Sequence, residues 1–452
     1  MSIDRSRSLI ALMMLVIPGL ASSCSPAPKR ADWHLDAITA MKTPADPPLV
    51  CPVTIPADTH AAERSSCAFS DGATAADTLG IPPDVARSIP IRHVIVVMRE
   101  NRSFDHLWGP LAVDGQPAAT PIPASFANPD LLGETVTPYR QTTTCLSADP
   151  AHQWAAMHTS VHDGAMNGFV GVAASTTGTD GHFSMSYYDG TLLPFQHWVA
   201  TTWSISDAHF SSARAGTYPN RDFLLLGTTD GVYDGSRYPS ARTPSIFLSL
   251  MNAGFTWGVY GDGALLSGAL GWQAGDPGTH TFARFLADID AGTLPNVVFV
   301  DGIDYVEDDH PPADLQVGEA WLRNVYQHAV KSPLWPRLAL VVTYDEAGGY
   351  ADHVAPSLAC IARPMLQDLP FFERGPRVPL AVISPYSRPR HVSHVVHDHT
   401  AITRLVETIF GLGALTARDA NSDALLDMFD FSCDPPMLTP PDAPAAGTGG
   451  CN

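Results

Sequence analysis

The sequence is poor in positive charge. Its 452 residues include 26 Lys and Arg against 46 Asp and Glu, a formal net charge of −20, and Lys and Arg form no cluster. This balance argues against nucleic acid and anionic membrane surfaces as standing partners. The cysteines show no CxxC spacing, which argues against a structural zinc site, and the chain has no internal repeat.

An apolar run near the N-terminus is too short to span a membrane. It covers Leu9–Leu20, follows Arg5 and Arg7, and precedes small residues and Cys24. This order predicts an export signal over residues 1–24. The ASSC ending resembles a bacterial lipobox, which predicts a lipidated Cys24 that tethers a cell-envelope or periplasmic protein to a membrane. Ala21 stands where Leu is commonest, so simple secretion is the alternative.

Six further cysteines support export. An even number of cysteines in an oxidising compartment predicts up to three disulfides. We expect two local pairs, Cys51–Cys67 and Cys433–Cys451, as staples for the two ends of the chain. The alternative is that some are buried free thiols. The six are Cys51, Cys67, Cys145, Cys360, Cys433 and Cys451.

Composition divides the chain into four parts. Residues 1–24 form the signal, and residues 25–88, rich in Pro, Ala and Asp, are predicted to be an exposed extension. Residues 89–432 carry the periodic apolar segments and form the predicted folded domain. Residues 433–452 are a tail of low complexity.

Several short apolar runs between residues 89 and 432 are typical of strands buried on both faces. They are Arg92–Met98, Phe255–Tyr260, Leu294–Val300, Leu338–Thr343 and Val378–Ser384. Helical patterns alternate with them, at Gly318–Lys331 and Thr400–Phe410. This alternation predicts an α/β fold with a doubly wound, mostly parallel central sheet and helices on both faces.

Acidic and amide side chains come directly after three of these strands. Glu100 and Asn101 follow the first, Asp301 the third, and Asp345 and Glu346 the fourth. Ligands of such sheets bind at the carboxyl ends of the strands. Carboxylates that converge repel one another unless a cation lies between them. We therefore expect one divalent metal ion, and Mg²⁺, Ca²⁺, Mn²⁺, Zn²⁺ and Fe all accept oxygen ligands. Taken singly, each motif is equally compatible with a helix start or a solvated loop.

Seven ordered motifs carry a resemblance to a known family. They are HVIVVMRENRSFDHLWG, AHQWAAMHTSVHDGAMNGF, MSYYDGTLLPFQHW, ARAGTYPNR, DDHPPADLQVGEAWL, TYDEAGGYADHV and GPRVPLAVISP. Over about residues 91–432 the chain resembles the bacterial phosphoesterase family, which includes phosphatidylcholine-type phospholipases C and an acid phosphatase. The resemblance implies an alkaline-phosphatase-like fold and hydrolysis of a phosphate ester, either a phospholipid or a small phosphomonoester.

The resemblance also implies a metal site and a nucleophile. Glu100 and Asn101 would bind the ion, and Asp345 and Glu346 would complete its site. Thr217, in the place of the family's Ser or Thr ahead of Pro-Asn-Arg, would be both a metal ligand and the nucleophile, giving a phosphothreonine intermediate. By its residues alone, Thr217 would be assigned to a turn.

Three histidines match family histidines: His310 and His353 match ones near the phosphate, and His152 matches one early in the chain. His310 is expected to protonate the leaving alcohol, and His152 and His353 to donate to the phosphate. The four histidines of HVSHVVHDHT, residues 391–400, are interpreted mainly as structural. The chain has no adjacent His pair before His310 and ends before the extra domains of larger phospholipases C, so the substrate stays open.

Two other functions compete with a phosphoesterase. A sulfatase or phosphotransferase could share the fold, but a sulfatase requires Cys or Ser where Thr217 stands. A non-enzymatic envelope binding protein could retain the fold, but it would be expected to have lost at least one of the residues that match the family's metal and nucleophile positions, and all of them are present.

Overall fold

The computed structural model describes most of the chain beyond the first 47 residues. The predicted signal, the lipobox at Cys24 and the start of the predicted extension lie outside the described residues. The described residues are 48–235, 238–240, 243–273, 275–448 and 450.

The strands range from two to seven residues, and the two longest, β1 and β11, are buried along their whole length. The strands are β1 His93–Arg99, β2 Asn128–Pro129, β3 Thr135–Val136, β4 Tyr139–Arg140, β5 Ser186–Tyr187, β6 Ser204–Ser206, β7 His209–Phe210, β8 Trp257–Gly261, β9 Thr279–His280, β10 Val297–Asp301, β11 Leu338–Tyr344, β12 Leu380–Ile383, β13 Val392–Ser393 and β14 His397–Asp398.

The helices include both of those predicted. The helices are α1 Ala61–Ser65, α2 Ala75–Leu79, α3 Pro83–Ser88, α4 Phe104–Trp108, α5 Trp154–Val161, α6 Phe169–Thr177, α7 Pro194–Thr202, α8 Thr217–Leu226, α9 Ile246–Asn252, α10 Leu265–Ala269, α11 Phe282–Ala291, α12 Leu315–Lys331, α13 His399–Phe410 and α14 Ala417–Ala420.

Eight strands form the central sheet, in the order β13-β6-β12-β11-β1-β10-β8-β9. Only β12 runs antiparallel to its neighbours, and the remaining pairs are parallel. All five predicted strands lie in this sheet. The prediction of a doubly wound, mostly parallel α/β fold is confirmed.

The side chains of β1 alternate between two apolar cores, one on each face of the sheet. Val94, Val96 and Met98 lie in one core, together with side chains of α8, α9 and α13. Ile95 and Val97 lie in the other, together with side chains of α7, α11 and α12. Because both faces are covered by helices, the strands read in the sequence as continuous apolar runs.

The strand register sets the position of the polar strand ends. β1 lies between β11 and β10, with Arg99 opposite Tyr344 and Val97 opposite Val300. Glu100 and Asp345, the next residues on β1 and β11, therefore leave the sheet side by side. The last residue of β10, Asp301, lies on the other side of β1.

The disulfides differ from the predicted local pairs. Cys51 bonds to Cys433, and Cys67 bonds to Cys360. Cys145 is also disulfide-bonded. The prediction of Cys51–Cys67 is wrong, and so is that of Cys433–Cys451, because each described partner lies elsewhere.

The physical reason is that the two ends of the described part of the chain meet. The backbone N–H of Val53 donates to the carbonyl of Phe431 at 3.0 Å, which brings the segments around these two residues together. Proximity in the sequence is a weak guide to pairing when both ends lie against a common body. Disulfides between distant segments fit a protein that folds in an oxidising compartment.

Both ends also contribute to packing. Ala75, Leu79 and Ile81 are buried in a small cluster between α2, α3 and the segment after α14. Along the tail, the indole N–H of Trp335 donates to the carbonyl of Leu438 at 2.9 Å. Within the described part of the chain, no helix combines the length and the apolar character that crossing a membrane requires.

Candidate active site

Thr217 is the first residue of α8, and the loop before it is closed by a side chain of the same helix. The Asn220 amide accepts a hydrogen bond from the N–H of Ala213 at 2.9 Å. It donates to the carbonyls of Ala215 and Gly216, both at 3.0 Å. This loop therefore holds Thr217 at the helix N-terminus, where the helix dipole favours an anion.

The same helix presents a hydroxyl and a guanidinium to the end of β1. Thr217 Oγ1 donates to Glu100 Oε2 at 3.0 Å. One turn further on, Arg221 donates to Glu100 Oε1 at 2.7 Å and to Asp301 Oδ1 at 3.2 Å. Glu100 and Arg221 are fully buried, and the spacing of four residues places both α8 side chains on one face of the helix.

Asp345 is held at one oxygen and free at the other. Its Oδ1 accepts from the backbone N–H of Asn101 at 3.0 Å and of Glu346 at 2.7 Å. Its Oδ2 is buried and accepts no hydrogen bond, with Arg221 Nε 4.0 Å away. A buried carboxylate oxygen without a donor is costly unless a cation or a proton satisfies it.

The Asn101 amide lies between two carboxylates and a histidine. One end of it is 3.2 Å from Glu100 Oε2 and 2.5 Å from Glu346 Oε1, and the other end is 2.9 Å from His310 Nε2. The His310 Nδ1–H donates to the carbonyl of Pro311 at 2.7 Å, so Nε2 is the ring nitrogen that faces Asn101. As the side chain stands, the Asn101 nitrogen faces His310 and its oxygen faces the two carboxylates, where no donor reaches it.

This orientation tests whether the residues fit a metal ion. Three oxygens that face one another at such distances repel, and a cation is what allows them to stay together. Asn101 has a φ of 61°, an uncommon left-handed backbone conformation that holds the amide in place. Oxygens of carboxylate, amide and hydroxyl groups are the ligands that hard divalent cations prefer. The residues therefore fit a divalent metal ion.

The pKa values of the carboxyl groups also indicate that the site lacks positive charge. Burial, reinforced by Asp345, raises the pKa of Glu100 to about 8. Burial, reinforced by Glu346, raises the pKa of Asp345 to about 6, and burial raises the pKa of Asp301 to about 6. The pKa of Glu346 is also well above its usual range, chiefly because of burial. The single positive charge of Arg221 thus does not neutralise these four carboxyl groups.

Two of the three predicted histidines lie at this site. The Nδ1–H of each donates to the carbonyl of a nearby proline at 2.7 Å, which leaves Nε2 of each ring for other partners. The rings of His152 and His310 are 5.8 Å apart, and His152 Nε2 is 4.0 Å from Glu346 Oε1. Their Nε2 atoms are the ones available for proton exchange.

The described residues also form three clusters of possible metal ligands. Among the described residues, three groups have ligand atoms that all lie within 4.8 Å of one another, and none of them includes Glu100 or Asp345. One group, Asp149 with His152 and His310, borders the site described above. The groups are Asp149, His152 and His310; Asp105, Asp352 and His353; and His397, Asp423 and Asp427.

His353 is held in a different ionic cluster. Its Nδ1 is 2.7 Å from Asp105 Oδ2. Arg377 donates to Asp105 at 2.8 Å and to Asp352 at 2.9 Å. The hydrogen bonds of His353 thus go to a buried ion-pair cluster and not to Thr217 or Glu100, and its role near the phosphate stays a prediction.

The four histidines of residues 391–400 contact four different partners. His391 lies 3.5 Å from Asp427, His394 2.8 Å from Asp207 and His397 3.4 Å from Asp423. His399 Nε2 lies 2.9 Å from the Tyr344 carbonyl. These separate contacts agree with the structural interpretation of the motif.

Arg221 and Asn220 contact the candidate site, and sequence reasoning left them without a role. Both belong to the GTYPNR motif, and the signal was available: positions three and four residues after Thr217 face the same side of a helix. Assigning that helix an N-terminus at Thr217 would have placed a guanidinium beside the strand-end carboxylates.

Comparisons with known proteins identify the class of this fold and site. The Phosphoesterase family profile matches residues 91–413. The chain belongs to that family.

Its relatives narrow the class further. Phospholipase C B of Mycobacterium tuberculosis is 31% identical over 429 residues, covering 79% of this chain and 81% of that relative. Non-specific phospholipase C3 of Arabidopsis thaliana is 28% identical over 403 residues, covering 78% and 76%. The chain is a phospholipase C-like phosphoesterase, a hydrolase of phosphoric esters.

Solved structures are similar at a lower level. The phosphonate monoester hydrolase of Agrobacterium radiobacter aligns with a TM-score of 0.38 and 10% sequence identity, covering 75% of this chain and 77% of that one. A protein of the alkaline phosphatase superfamily from Vibrio parahaemolyticus aligns with a TM-score of 0.34 and 10% identity, covering 69% and 76%.

Proposed function

We propose that the protein is an exported, metal-dependent hydrolase that transfers the phosphoryl group of its substrate to Thr217. The observation that carries this proposal is the 3.0 Å hydrogen bond from Thr217 Oγ1 to Glu100, at a helix N-terminus beside buried strand-end carboxylates. This contact gives the Thr217 hydroxyl a local proton acceptor. Few sites provide a nucleophile, a base and an anion-binding helix end together.

A divalent metal ion would be held by oxygens that the protein already brings together. The residues we assign to it are Glu100, Asn101, Thr217, Asp345 and Glu346. Bound there, a metal ion supplies positive charge that favours the alkoxide form of the Thr217 hydroxyl and offsets the charge of the phosphate. Asp345 Oδ2, buried without a hydrogen bond, is the clearest single ligand atom.

The positions of the protein groups determine which group acts as the nucleophile and which as the acid. Thr217 Oγ1 gives its proton to Glu100 and forms a bond to phosphorus, while the bond from phosphorus to the leaving oxygen breaks in line. His310, with its Nδ1–H fixed on a proline carbonyl, is the acid when its ring also carries a proton on Nε2, and it gives that proton to the leaving alkoxide. Water next attacks the phosphothreonine and His310 Nε2 takes its proton. The bond from phosphorus to Thr217 Oγ1 breaks, Glu100 returns the proton to Oγ1, and phosphate or a phosphorylated head group leaves.

His152 would act as a donor to the phosphate. Its Nε2 faces the same site, and its ring packs beside that of His310. His353 would act at a greater distance, through the cluster of Asp105 and Arg377. Removing each histidine separately would distinguish these roles.

The substrate we favour is a phospholipid cleaved on the diglyceride side of its phosphate. The relatives that share about four fifths of their length with this chain are named as phospholipases C. A small phosphomonoester is the rival substrate, because the same site geometry serves both. If Cys24 is lipidated, the enzyme is tethered beside its lipid substrate.

The test compares two chromogenic esters, p-nitrophenyl phosphate and p-nitrophenyl phosphorylcholine, with purified protein that starts at Ser25. Thr217→Ala and chelator treatment should each abolish turnover, whereas Thr217→Ser should retain part of it. The matched control is Thr135→Ala, since Thr135 is exposed on a short surface strand.

Preference for the phosphorylcholine ester supports a phospholipase C, and preference for the monoester supports a phosphatase. Full activity in Thr217→Ala would contradict the assignment of the nucleophile. Full activity after complete chelation would contradict the need for a metal ion.

A further inference from the structure

Six large apolar side chains are exposed within one short stretch of the chain, residues 357–374, which we call the apolar segment. A surface with this many exposed apolar groups in one stretch marks an interaction site more often than chance. Their exposed fractions are 65% for Leu358, 37% for Ile361, 44% for Met365, 85% for Leu366, 42% for Leu369 and 40% for Phe372.

The inner side of the apolar segment packs on the loop that carries Thr217. Ala362 and Phe371 are buried in a cluster with Ala213, Ala215 and Phe223, residues that lie just before Thr217 and on α8. The segment is therefore two-sided, with one face against the catalytic loop and the other toward solvent.

Aromatic rings connect the buried face of the segment to the active site. The ring of Phe371 lies 5.0 Å from that of Trp154 and 4.8 Å from that of Tyr233. Trp154 begins α5 two residues after His152, which faces the site. The buried face of the apolar segment is therefore connected to the catalytic groups through packed aromatic rings.

The segment is held in shape by covalent and backbone links. Cys360 is bonded to Cys67. Leu358 forms an antiparallel bridge with Glu373, and the N–H of Ala359 donates to the carbonyl of Phe372 at 2.8 Å. A fixed apolar surface loses little conformational entropy when it is covered.

The charges of the segment are paired within the protein. Arg363 contacts Asp230 and Asp368 at 2.5 and 2.6 Å. Glu373 lies 2.9 Å from Arg214. Arg374 lies 2.8 Å from Asp398. The segment itself carries two arginines and two carboxylates, so it is electrically neutral in a chain of net charge −20.

We propose that the apolar segment is the surface by which the enzyme docks on a zwitterionic phospholipid surface. The inference rests on the proposed function and deepens it, because it names an aggregated lipid as the substrate. A neutral apolar surface matches a neutral lipid surface, whereas the acidic body would be repelled by anionic lipid. Docking there places the lipid against the element that packs on the loop carrying Thr217.

The test uses vesicles of phosphatidylcholine and a double variant, Leu358→Ser with Leu366→Ser. All proteins carry Cys24→Ser, which removes the predicted lipid attachment. Vesicle binding is measured by flotation in a Thr217→Ala background, so that the lipid is not consumed. The matched control is Val113→Ser, since Val113 is an exposed apolar residue, at 89%, outside the segment.

The double variant should bind vesicles and hydrolyse phosphatidylcholine at least about tenfold less well than the parent, because bound apolar area sets the affinity. Its turnover of soluble p-nitrophenyl phosphorylcholine should stay within about twofold, since exposed substitutions perturb the fold little. The Val113→Ser control should match the parent in every assay.

Other results would overturn the inference. Equal vesicle binding by parent and double variant would do so, as would parental binding that requires anionic lipid. A parent that is dimeric in light scattering and becomes monomeric in the double variant would identify the segment as a contact between copies. If the parent itself did not hydrolyse soluble p-nitrophenyl phosphorylcholine, the proposed function would be contradicted instead.

Discussion

Replacing Arg221 by Met should destabilise the protein more than any other single change at the site. Arg221 is fully buried and contacts Glu100 at 2.7 Å and Asp301 at 3.2 Å, with Asp345 4.0 Å away. Methionine fills a similar volume but removes the only guanidinium that these contacts involve. The carboxyl groups would stay buried without their counter-charge.

The size of the loss can be worked out from the electrostatics of buried pairs. At 4 Å and an effective dielectric constant near 20, each ion pair contributes about 4 kcal/mol, so two pairs contribute about 8 kcal/mol before desolvation is subtracted. Desolvation of the arginine and proton uptake by the carboxylates offset part of this. A net loss of about 3–5 kcal/mol in the free energy of unfolding is expected.

The loss should grow between pH 5 and pH 8. Raised carboxyl pKa values mean that the folded protein holds protons that the unfolded chain has released, so stability falls as pH rises through this window. Glu100, with a pKa of about 8 even beside Arg221, and Asp301, at about 6, are the groups concerned. Without Arg221 their pKa values should rise further.

The assay is urea unfolding with chelator present, so that no metal ion replaces the lost charge. A second variant combines Arg221→Met with Asp301→Asn, which removes one of the stranded charges. Its loss should be smaller than the sum of the two single losses by at least about 1 kcal/mol. A loss below about 1 kcal/mol for Arg221→Met at pH 8 would refute the reasoning.

Three further predictions concern other parts of the molecule. Burial alone would raise the pKa of Asp398, but two arginines hold it well below its usual range, so Asp398→Asn should cost about 3–5 kcal/mol at pH 7 and less as pH falls below about 4. The matched cap variant Asp314→Asn, at the start of α12, should cost no more than about 1 kcal/mol in the same unfolding assay. Replacing Cys67 and Cys360 together by Ser should lower the free energy of unfolding by about 2–5 kcal/mol, measured against the oxidised parent. His310→Ala should reduce kcat by about 10²–10⁴-fold at unchanged thermal stability, and a loss below about tenfold would exclude it as the acid.

The sheet and its polar edge could be predicted because their signals are local. A buried parallel strand reads as a run of apolar residues, and the residues directly after such a run lie at the ligand-binding edge. Glu100 and Asp345 needed only this rule and the assumption that their strands are neighbours. The structure confirms the neighbouring register.

Other features depend on which distant segments meet, and local patterns do not encode this. Cys51 lies 16 residues from Cys67 in the sequence, yet it bonds to Cys433 at a separation of 382 residues. The ionic cluster around His353 likewise joins the chain at residues 105, 352 and 377. A resemblance to a family aligned His353 with a functional position but gave no information about its hydrogen bonds.

Arg221 is a third case, because its spacing of four residues from Thr217 indicates a shared helix face only if a helix begins at Thr217. Its motif was recognised as the site of the nucleophile, but a buried arginine has no distinctive pattern of its own. Only the helix start at Thr217 reveals that the two side chains share a face. The apolar segment is similar, because its exposure depends on packing that the sequence does not show.

The central claim is that Thr217 takes up the phosphoryl group of the substrate during turnover, and it can be tested directly. Enzyme with its metal ion is mixed with excess p-nitrophenyl phosphorylcholine, quenched in acid within a turnover and digested for mass spectrometry. The account predicts a peptide in which fragmentation places a phosphorylcholine group on Thr217, and which disappears in Thr217→Ala. Turnover with no such group on Thr217, or with the group on another residue, would contradict it.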